Sequence, residues 1–340
     1  MKAAYFEKTG SPDVIQYGEL PKPGSKESKS SEIGDYEVLV KTRAVSVNPV
    51  DTYIRAGIVA MPLTYPFIPG ADIAGTVEHI GSKVKRFQIG DRIWGSNQGL
   101  LGRQGTFAEY ALIGEEFLYP TPENVSDETV AACALVGITA HLGLFRCAKL
   151  QANETVFVNG GSGGVGSMVI QMAKAVGARI ITTAGSPEKA DFVRSIGADE
   201  VILYKNASIA DKVMAFTQKK GVNVWFEPLR EPDFVRSVDL IAPNGRMVIM
   251  AGRQARPVFP VGPFYVKGLS LYGFAMFNIP AIEQQRCAED MNHWFSEGLL
   301  RANIGARFPL SQAAQAHALQ EANTLQGSGT LQGKIVLYPE

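Results

Sequence analysis

Cysteine is nearly absent: Cys133, Cys147 and Cys287 are the only three in 340 residues, and they stand far apart. An odd, scattered set excludes a disulfide framework or a cysteine-held zinc cluster, and it fits reduced thiols acting as small hydrophobes. Histidine is as scarce, since His79, His141, His293 and His317 share no metal-ligand spacing. An excess of one charge is missing too. Lysine plus arginine and aspartate plus glutamate both number 33, and the cations are dispersed, so no nucleic-acid or anionic-membrane surface is supported. No apolar run reaches the roughly 18 residues of a membrane-spanning helix. Met1 to Leu20 has neither a basic start nor a hydrophobic segment, so no signal peptide is expected and the expected compartment is the cytoplasm.

Glycine, by contrast, is abundant, and its most informative group lies in ETVFVNGGSGGVG, from Glu154 to Gly166. Val156, Phe157 and Val158 read as a buried strand, and Val165, Val169, Ile170, Met172, Ala173 and Val176 give the following helix an apolar face. Between them Gly161, Gly163 and Gly166 stand in G-x-G-x-x-G register. The first permits a tight turn, the second lets backbone approach a pyrophosphate, and the third lets helix pack on strand. Ser162, Gly164 and Val165 complete a loop whose helix N-terminus offers unpaired N–H groups to phosphates.

The next strand ends in Thr183, Ala184, Gly185 and Ser186, where an NAD site places an acid for the ribose 2′-hydroxyl. Without that acid a 2′-phosphate is not repelled. Ser186, Lys189 and Arg194 supply a hydroxyl and cations to hold one. NADPH is therefore expected over NADH.

A length of 340 residues suits about two domains. MKAAYF, YEVLVKTRAVSV, DIAGTVEHIG, GDRIWG and TFAEYALI are short β-prone runs punctuated by glycine and proline, which predict an irregular β-barrel-like domain. Lys22 to Asp35 within it is polar and serine-rich and reads as a surface loop. From Val130 the pattern alternates, with strands expected at Glu154–Asn159, Arg179–Thr183, Glu200–Leu203, Val222–Phe226, Arg246–Ala251 and Leu269–Phe274. Six strands in this order match a doubly wound parallel sheet, an α/β fold. The tail after Asn278 holds two amphipathic helical stretches and a last strand, GKIVLY, that such a sheet does not need. It is expected to return to the first domain, giving domains of 1–128 with 278–340 and of 129–277, with a cleft between them.

With these residues in view, the whole chain resembles the zinc-less medium-chain dehydrogenase/reductase superfamily, and within it the ζ-crystallin-like NADPH:quinone oxidoreductases. The resemblance rests on VNPVDTYIRAG at Val47 to Gly57, PGADIAGTVEHIG at Pro69 to Gly81, IGDRIWG, GTFAEYA, GITAH at Gly137 to His141, GGSGGVG and the closing GKIVL. It implies a GroES-like catalytic domain joined to a Rossmann domain. It also implies that Asn48, Asp51 and Tyr53 line the cleft, with Tyr53 donating to the substrate oxygen, Asn48 orienting it and Asp51 positioning neighbours. The bland alternative is a turn at Asn48 and Asp51 with Tyr53 packed. Thr139, Tyr204, Gly252, Phe274 and Lys334 join the loop residues on the cofactor side, and a homodimer paired through the last sheet strands is expected. Asn97 to Gln104 reads either as a mobile lip or as a surface loop.

Zinc-dependent members carry a cysteine where Asn48 stands, Gly-His-Glu where Gly70, Ala71 and Asp72 stand, and a further cysteine at the position of Leu135. The expected enzyme is therefore metal-free. It reduces small quinones or similar activated carbonyl acceptors, because those accept hydride without a Lewis acid. Two rivals stay open: an NADPH-dependent enone or enoyl-thioester reductase, and a non-catalytic NADPH-binding protein. WFEPLREPD at Trp225 to Asp233 departs from the family's Asp-x-x-Gly ending of that strand, and MAGRQARPVFPVGPF after it is also unusual.

Overall fold

The computed structural model describes residues 1–27 and 32–340. Residues 28–31 of the expected Lys22–Asp35 loop lie outside them, and the rest of that stretch carries turns without helix or strand. Contacts divide the chain into two compact units, Met1–Leu135 with Pro280–Glu340, and Val136–Ile279.

The first unit opens with β1 (Lys2–Tyr5), β2 (Gln16–Glu19), β3 (Glu37–Val47), helix α1 (Pro49–Arg55), β4 (Asp72–Ile80), β5 (Arg92–Gly95), β6 (Tyr110–Gly114) and β7 (Leu118–Pro120). Along β3, Lys41 and Arg43 point outward between the buried Val40, Thr42 and Ala44, the period of a half-buried strand. The same strand pairs antiparallel with β4, Ser46 facing Asp72, and with β6. Register shifts at Leu39/Val40 and Thr42/Ala44 let it bend as it passes from one partner to the other. Asn48 ends the strand and caps α1, with Pro49 at the first helical position and Asp51 closing a capping box.

Helix α2 (Asp127–His141) continues as a π-helical turn over Leu142–Cys147. Residues 127–147 are long and apolar enough to cross a membrane, contrary to the sequence expectation of no such run, which overlooked VAACALVGITAHLGLF because polar residues interrupt it. Because 83% of that window is buried inside the fold, the helix is built as core. A side-chain carbon on Gly143 would come within 2.6 Å of the Phe226 ring, so glycine lets the π turn lie close on the sheet.

The second unit alternates β8 (Thr155–Val158), α3 (Gly164–Ala175), β9 (Arg179–Ala184), α4 (Pro187–Ser195), β10 (Glu200–Leu203), α5 (Ile209–Phe216), β11 (Val222–Glu227), α6 (Phe234–Leu240), β12 (Ile241–Ile249), α7 (Val261–Val266) and β13 (Ser270–Gly273). All are parallel, in the order β10-β9-β8-β11-β12-β13. This is the doubly wound sheet, and its order reverses between β8 and β11. Phe157 and Trp225 stack across those strands at 3.9 Å between ring centroids. Strand β12 begins at Ile241 rather than Arg246, because Ile241 pairs with Val222 before residues 242–245 loop out of register.

The chain then returns to the first unit through α8 (Ala281–Ser296), β14 (Ile304–Pro309), α9 (Ala313–Thr324) and β15 (Lys334–Tyr338). Strand β15 pairs antiparallel with β3, Ile335 facing Val47, which sets Lys334 beside the start of α1.

Candidate functional site

In the second unit, the three glycines differ in what surrounds them. A side-chain carbon on Gly161 would fall 2.3 Å from Thr182 Oγ1, and one on Gly166 would fall 2.4 Å from the Gly160 carbonyl. Packing alone demands glycine at both. At Gly163 the nearest atom would be the Gly160 carbonyl at 3.5 Å, ordinary contact distance. The second glycine is thus not required by the fold, and the room left over it, where α3 presents its first amides, fits an approaching pyrophosphate. Ser162, Gly164 and Val165 are half-buried around it.

Because every strand of this sheet runs the same way, its carboxyl ends share one edge. There lie the loop after β8, Gly185 and Ser186 after β9, Tyr204 after β10, Gly252 beyond β12 and Phe274 after β13. Ser186 caps α4, its hydroxyl accepting from Lys189 N at 3.3 Å. A carbon on Gly185 would meet the Tyr204 hydroxyl at 3.0 Å, so that half-exposed ring lies across the Gly185–Ser186 turn. Gly252 has φ +80°, and a side chain there would strike Arg230 O at 2.4 Å. Thr139 is buried in α2 and Phe274 half-buried. Arg194, a candidate phosphate partner from sequence, pairs with Asp191 at 2.9 Å. Glu188 was not anticipated: the Ser186 hydroxyl donates to it and holds its carboxyl below the usual range, putting a negative charge beside the cap. The S-P-E-K spacing contained that signal.

The first unit holds a buried polar cluster. Asp72 accepts four hydrogen bonds, from Ser46 Oγ at 2.7 Å, Asn48 Nδ2 at 2.8 Å, Ser96 Oγ at 2.7 Å and Leu135 N at 3.0 Å. Asn48, Asp72 and Leu135 therefore converge; the resemblance matches Asn48 and Leu135 to cysteines of the zinc-dependent members and Asp72 to the Glu of their Gly-His-Glu. They bond to one another. Among the described residues no three His, Cys, Asp or Glu side chains are grouped to hold a metal ion. The ammonium of Lys334 donates to Val47 O at 2.9 Å and to Asn48 Oδ1, and lies 3.9 Å from Asp72 Oδ2. The resemblance groups Lys334 with the cofactor residues; its bonds here are to the cap of α1.

Asp51 Oδ2 accepts from Asn48 N at 2.7 Å. Burial pushes Asp51 and Asp72 above, and Lys334 below, their ordinary ranges, because each charged form has lost water. Asn48 and Asp51 are thus occupied in holding α1, and Tyr53, half-buried on that helix, carries the remaining functional expectation. At the other end of the helix Arg55, fully buried, donates to Gly10 O at 2.9 Å and pairs with Glu321 of α9. Asn97–Gln104 is tied down by Gly99 N to Gln104 O at 3.1 Å, Arg103 Nε to Asn97 O at 2.9 Å and Ile68 N to Gln104 Oε1 at 2.8 Å.

The chain is 36% identical over 283 residues to a quinone oxidoreductase of Sus scrofa, covering 83% of this chain and 84% of that one. The chain belongs to the quinone oxidoreductase family. A human quinone oxidoreductase is 32% identical, with 93% of each chain covered. Residues 34–123 match the family of the alcohol dehydrogenase GroES-like domain, and residues 164–296 match that of the zinc-binding dehydrogenases. Among solved structures, the Escherichia coli quinone oxidoreductase complexed with NADPH superposes with a TM-score of 0.83 at 26% identity over the whole of both chains. An NAD-dependent alcohol dehydrogenase gives 0.87 at 28% identity over 99% of both. This family member thus combines the GroES-like and Rossmann-type folds of the medium-chain dehydrogenase/reductases. Its polar cluster departs from the ligand set of the zinc-dependent relatives at Asn48, Ala71 and Leu135.

Proposed function

We propose that the chain is an NADPH-dependent reductase of quinones or similar activated carbonyl acceptors that works without zinc. The observation that carries this reading is the Lys334–Asn48–Asp72 cluster. The converging positions satisfy one another with hydrogen bonds and supply no lone pair arrangement suited to a Lewis acid. An alcohol substrate would then form its alkoxide unaided. A quinone delocalises the incoming charge onto its own oxygen.

Bound nicotinamide supplies the hydride. The loop after β8 holds its pyrophosphate, with Gly163 giving backbone access. Ser186 and Lys189 hold the 2′-phosphate, Tyr204 and Gly185 flank the adenosine end, and Thr139, Gly252 and Phe274 lie on the nicotinamide side. Tyr53 donates a hydrogen bond, then a proton, to the substrate oxygen as charge grows there, while Asn48 and Asp51 fix the helix that aims it. The E. coli relative was solved in complex with NADPH. Glu188 supports the competing cofactor, NADH, because its carboxylate lies against the residue proposed to take the 2′-phosphate. A homodimer accords with the outer edge of the sheet, where Tyr265, Val266, Leu271 and Tyr272 are exposed.

Chelator-treated protein should oxidise NADPH with ortho- or para-quinones. Tyr53→Phe should lower kcat by about 10²-fold, the low end for a positioned proton donor, and leave the Kd for NADPH unchanged. Unchanged kcat would return Tyr53 to packing, and turnover abolished by chelation and restored by zinc would overturn the reading.

A further inference from the structure

Glu227 closes β11 with its carboxylate almost wholly buried, only 2% exposed, and every hydrogen-bond donor on it is neutral. Asn159 Nδ2 reaches Oε1 at 3.1 Å and Oε2 at 2.9 Å, Trp225 Nε1 reaches Oε2 at 3.1 Å, and Leu229 N reaches Oε1 at 3.2 Å. Burial raises its pKa against these bonds, so the fold retains an acid here at a cost. Its place is the carboxyl end of the β8–β11 pair, where the sheet order reverses and a doubly wound fold binds its ligand.

The bonds continue in one direction. Asn159 Oδ1 accepts from the Thr183 hydroxyl at 3.1 Å, Thr183 Oγ1 accepts from Gly160 N at 2.7 Å, and Thr183 O accepts from Gly161 N at 3.2 Å. An ionised carboxylate only accepts, so Asn159 must turn its amide N–H₂ to Glu227 and its oxygen to Thr183. Thr183 must then donate to Asn159, which leaves its lone pairs for Gly160. Each orientation follows from the one before.

We propose that Glu227 is a positioning residue for the cofactor: as an acceptor-only group it sets the direction of the relay Glu227–Asn159–Thr183, and the relay fixes the Gly160–Gly161 turn that receives the pyrophosphate. This rests on the reading that the loop binds NADPH. The glycine pattern specifies that the turn is possible; the relay holds it in one conformation. Trp225 to Leu229, the stretch that departs from the family pattern, supplies Glu227 itself and two of the donors that hold it, Trp225 Nε1 and Leu229 N.

The test compares wild type, Glu227→Gln, Thr183→Val and the double variant Glu227→Gln/Asn159→Asp, in which the side-chain donor and acceptor between strands exchange places while Thr183 keeps its acceptor. Glu227→Gln and Thr183→Val should each weaken NADPH binding about tenfold, the size of one lost hydrogen bond, with the loss falling on KM for NADPH more than on kcat. Both should speed hydrogen exchange at the Gly160 amide without cofactor, and the double variant should recover most of both effects. NADPH affinity within twofold of wild type and a Gly160 amide still protected in Glu227→Gln would overturn the proposal. Should that variant fail to fold, Thr183→Val reads the far end of the same relay. Wild type that fails to bind NADPH would instead refute the cofactor reading, while Gly160 exchange would still decide whether the relay fixes the turn.

Discussion

Replacing Lys334 by methionine keeps the length of the side chain and removes its charge and donors. Three groups lose by it: Val47 O, Asn48 Oδ1 and the Asp72 carboxylate 3.9 Å away, all buried. Breaking a buried pair from one side costs about 3–5 kcal/mol. Asp72 keeps its four neutral donors, and its raised pKa lets it take up a proton once the ammonium is gone, so a value near the lower end, about 3 kcal/mol, is expected. At about 2–4 °C per kcal/mol for a unit of this size, that is about 6–12 °C in Tm. Scanning calorimetry gives the shift directly. Lys334→Met combined with Asp72→Asn should recover at least half of it, because no charge is then left unpartnered. A loss below about 1 kcal/mol, or a double variant no better than the sum of the singles, would refute the claim that Lys334 neutralises Asp72 and secures the cap of α1.

Gly163→Ala places a carbon at ordinary contact distance, 3.5 Å from the Gly160 carbonyl, at φ −74°, a conformation any residue adopts, so stability should hold while NADPH affinity falls at least tenfold, about 1.4 kcal/mol; equal affinity in equilibrium titration would deny the loop its ligand. Lys189→Ala should raise KM for NADPH about tenfold more than for NADH, and Glu188→Gln should lower KM for NADPH alone; equal effects on the two cofactors would remove the 2′-phosphate from this turn. His317 is fully buried with neither ring nitrogen hydrogen-bonded, and burial, then the nearby Arg55 charge, pull its pKa from 6.5 down to about 3. Its folded pKa is below the unfolded one, so the folded state resists the proton. Its share of stability is present above pH 6.5 and is lost as pH falls toward 3, by up to about 1.4 kcal/mol per pH unit. His317→Leu should therefore flatten urea-denaturation stability between pH 6 and pH 4 relative to wild type, and parallel curves would contradict the assignment.

The parallel sheet was legible because its strands are continuous apolar runs between glycine-marked turns, and the loop at Gly161 to Gly166 because its glycines stand in G-x-G-x-x-G register between a strand and a helix, two of them demanded by packing. The early start of β12 was not, since Pro243, Asn244 and Gly245 interrupt the apolar pattern that the register shift restores. Asn48 and Asp51 were legible as a turn, which the structure makes the cap of α1. That Lys334, near the other end of the chain, would reach Asn48 was hidden, because only the pairing of β15 with β3 brings them together. Glu227 looked like a departure from a pattern; its meaning depends on Asn159, just past the end of β8, and on Thr183 of β9.

Steady-state kcat/KM for NADPH and for NADH, with chelator-treated protein offered ortho- and para-quinones, small enones and an enoyl-thioester side by side, tests the central claim most directly. The account predicts turnover with NADPH and quinones, faster than with enones or the thioester and faster than with NADH. Turnover confined to enones or the thioester would place the chain among enoyl reductases, and tight NADPH binding without turnover of any acceptor would contradict the assignment of an enzyme.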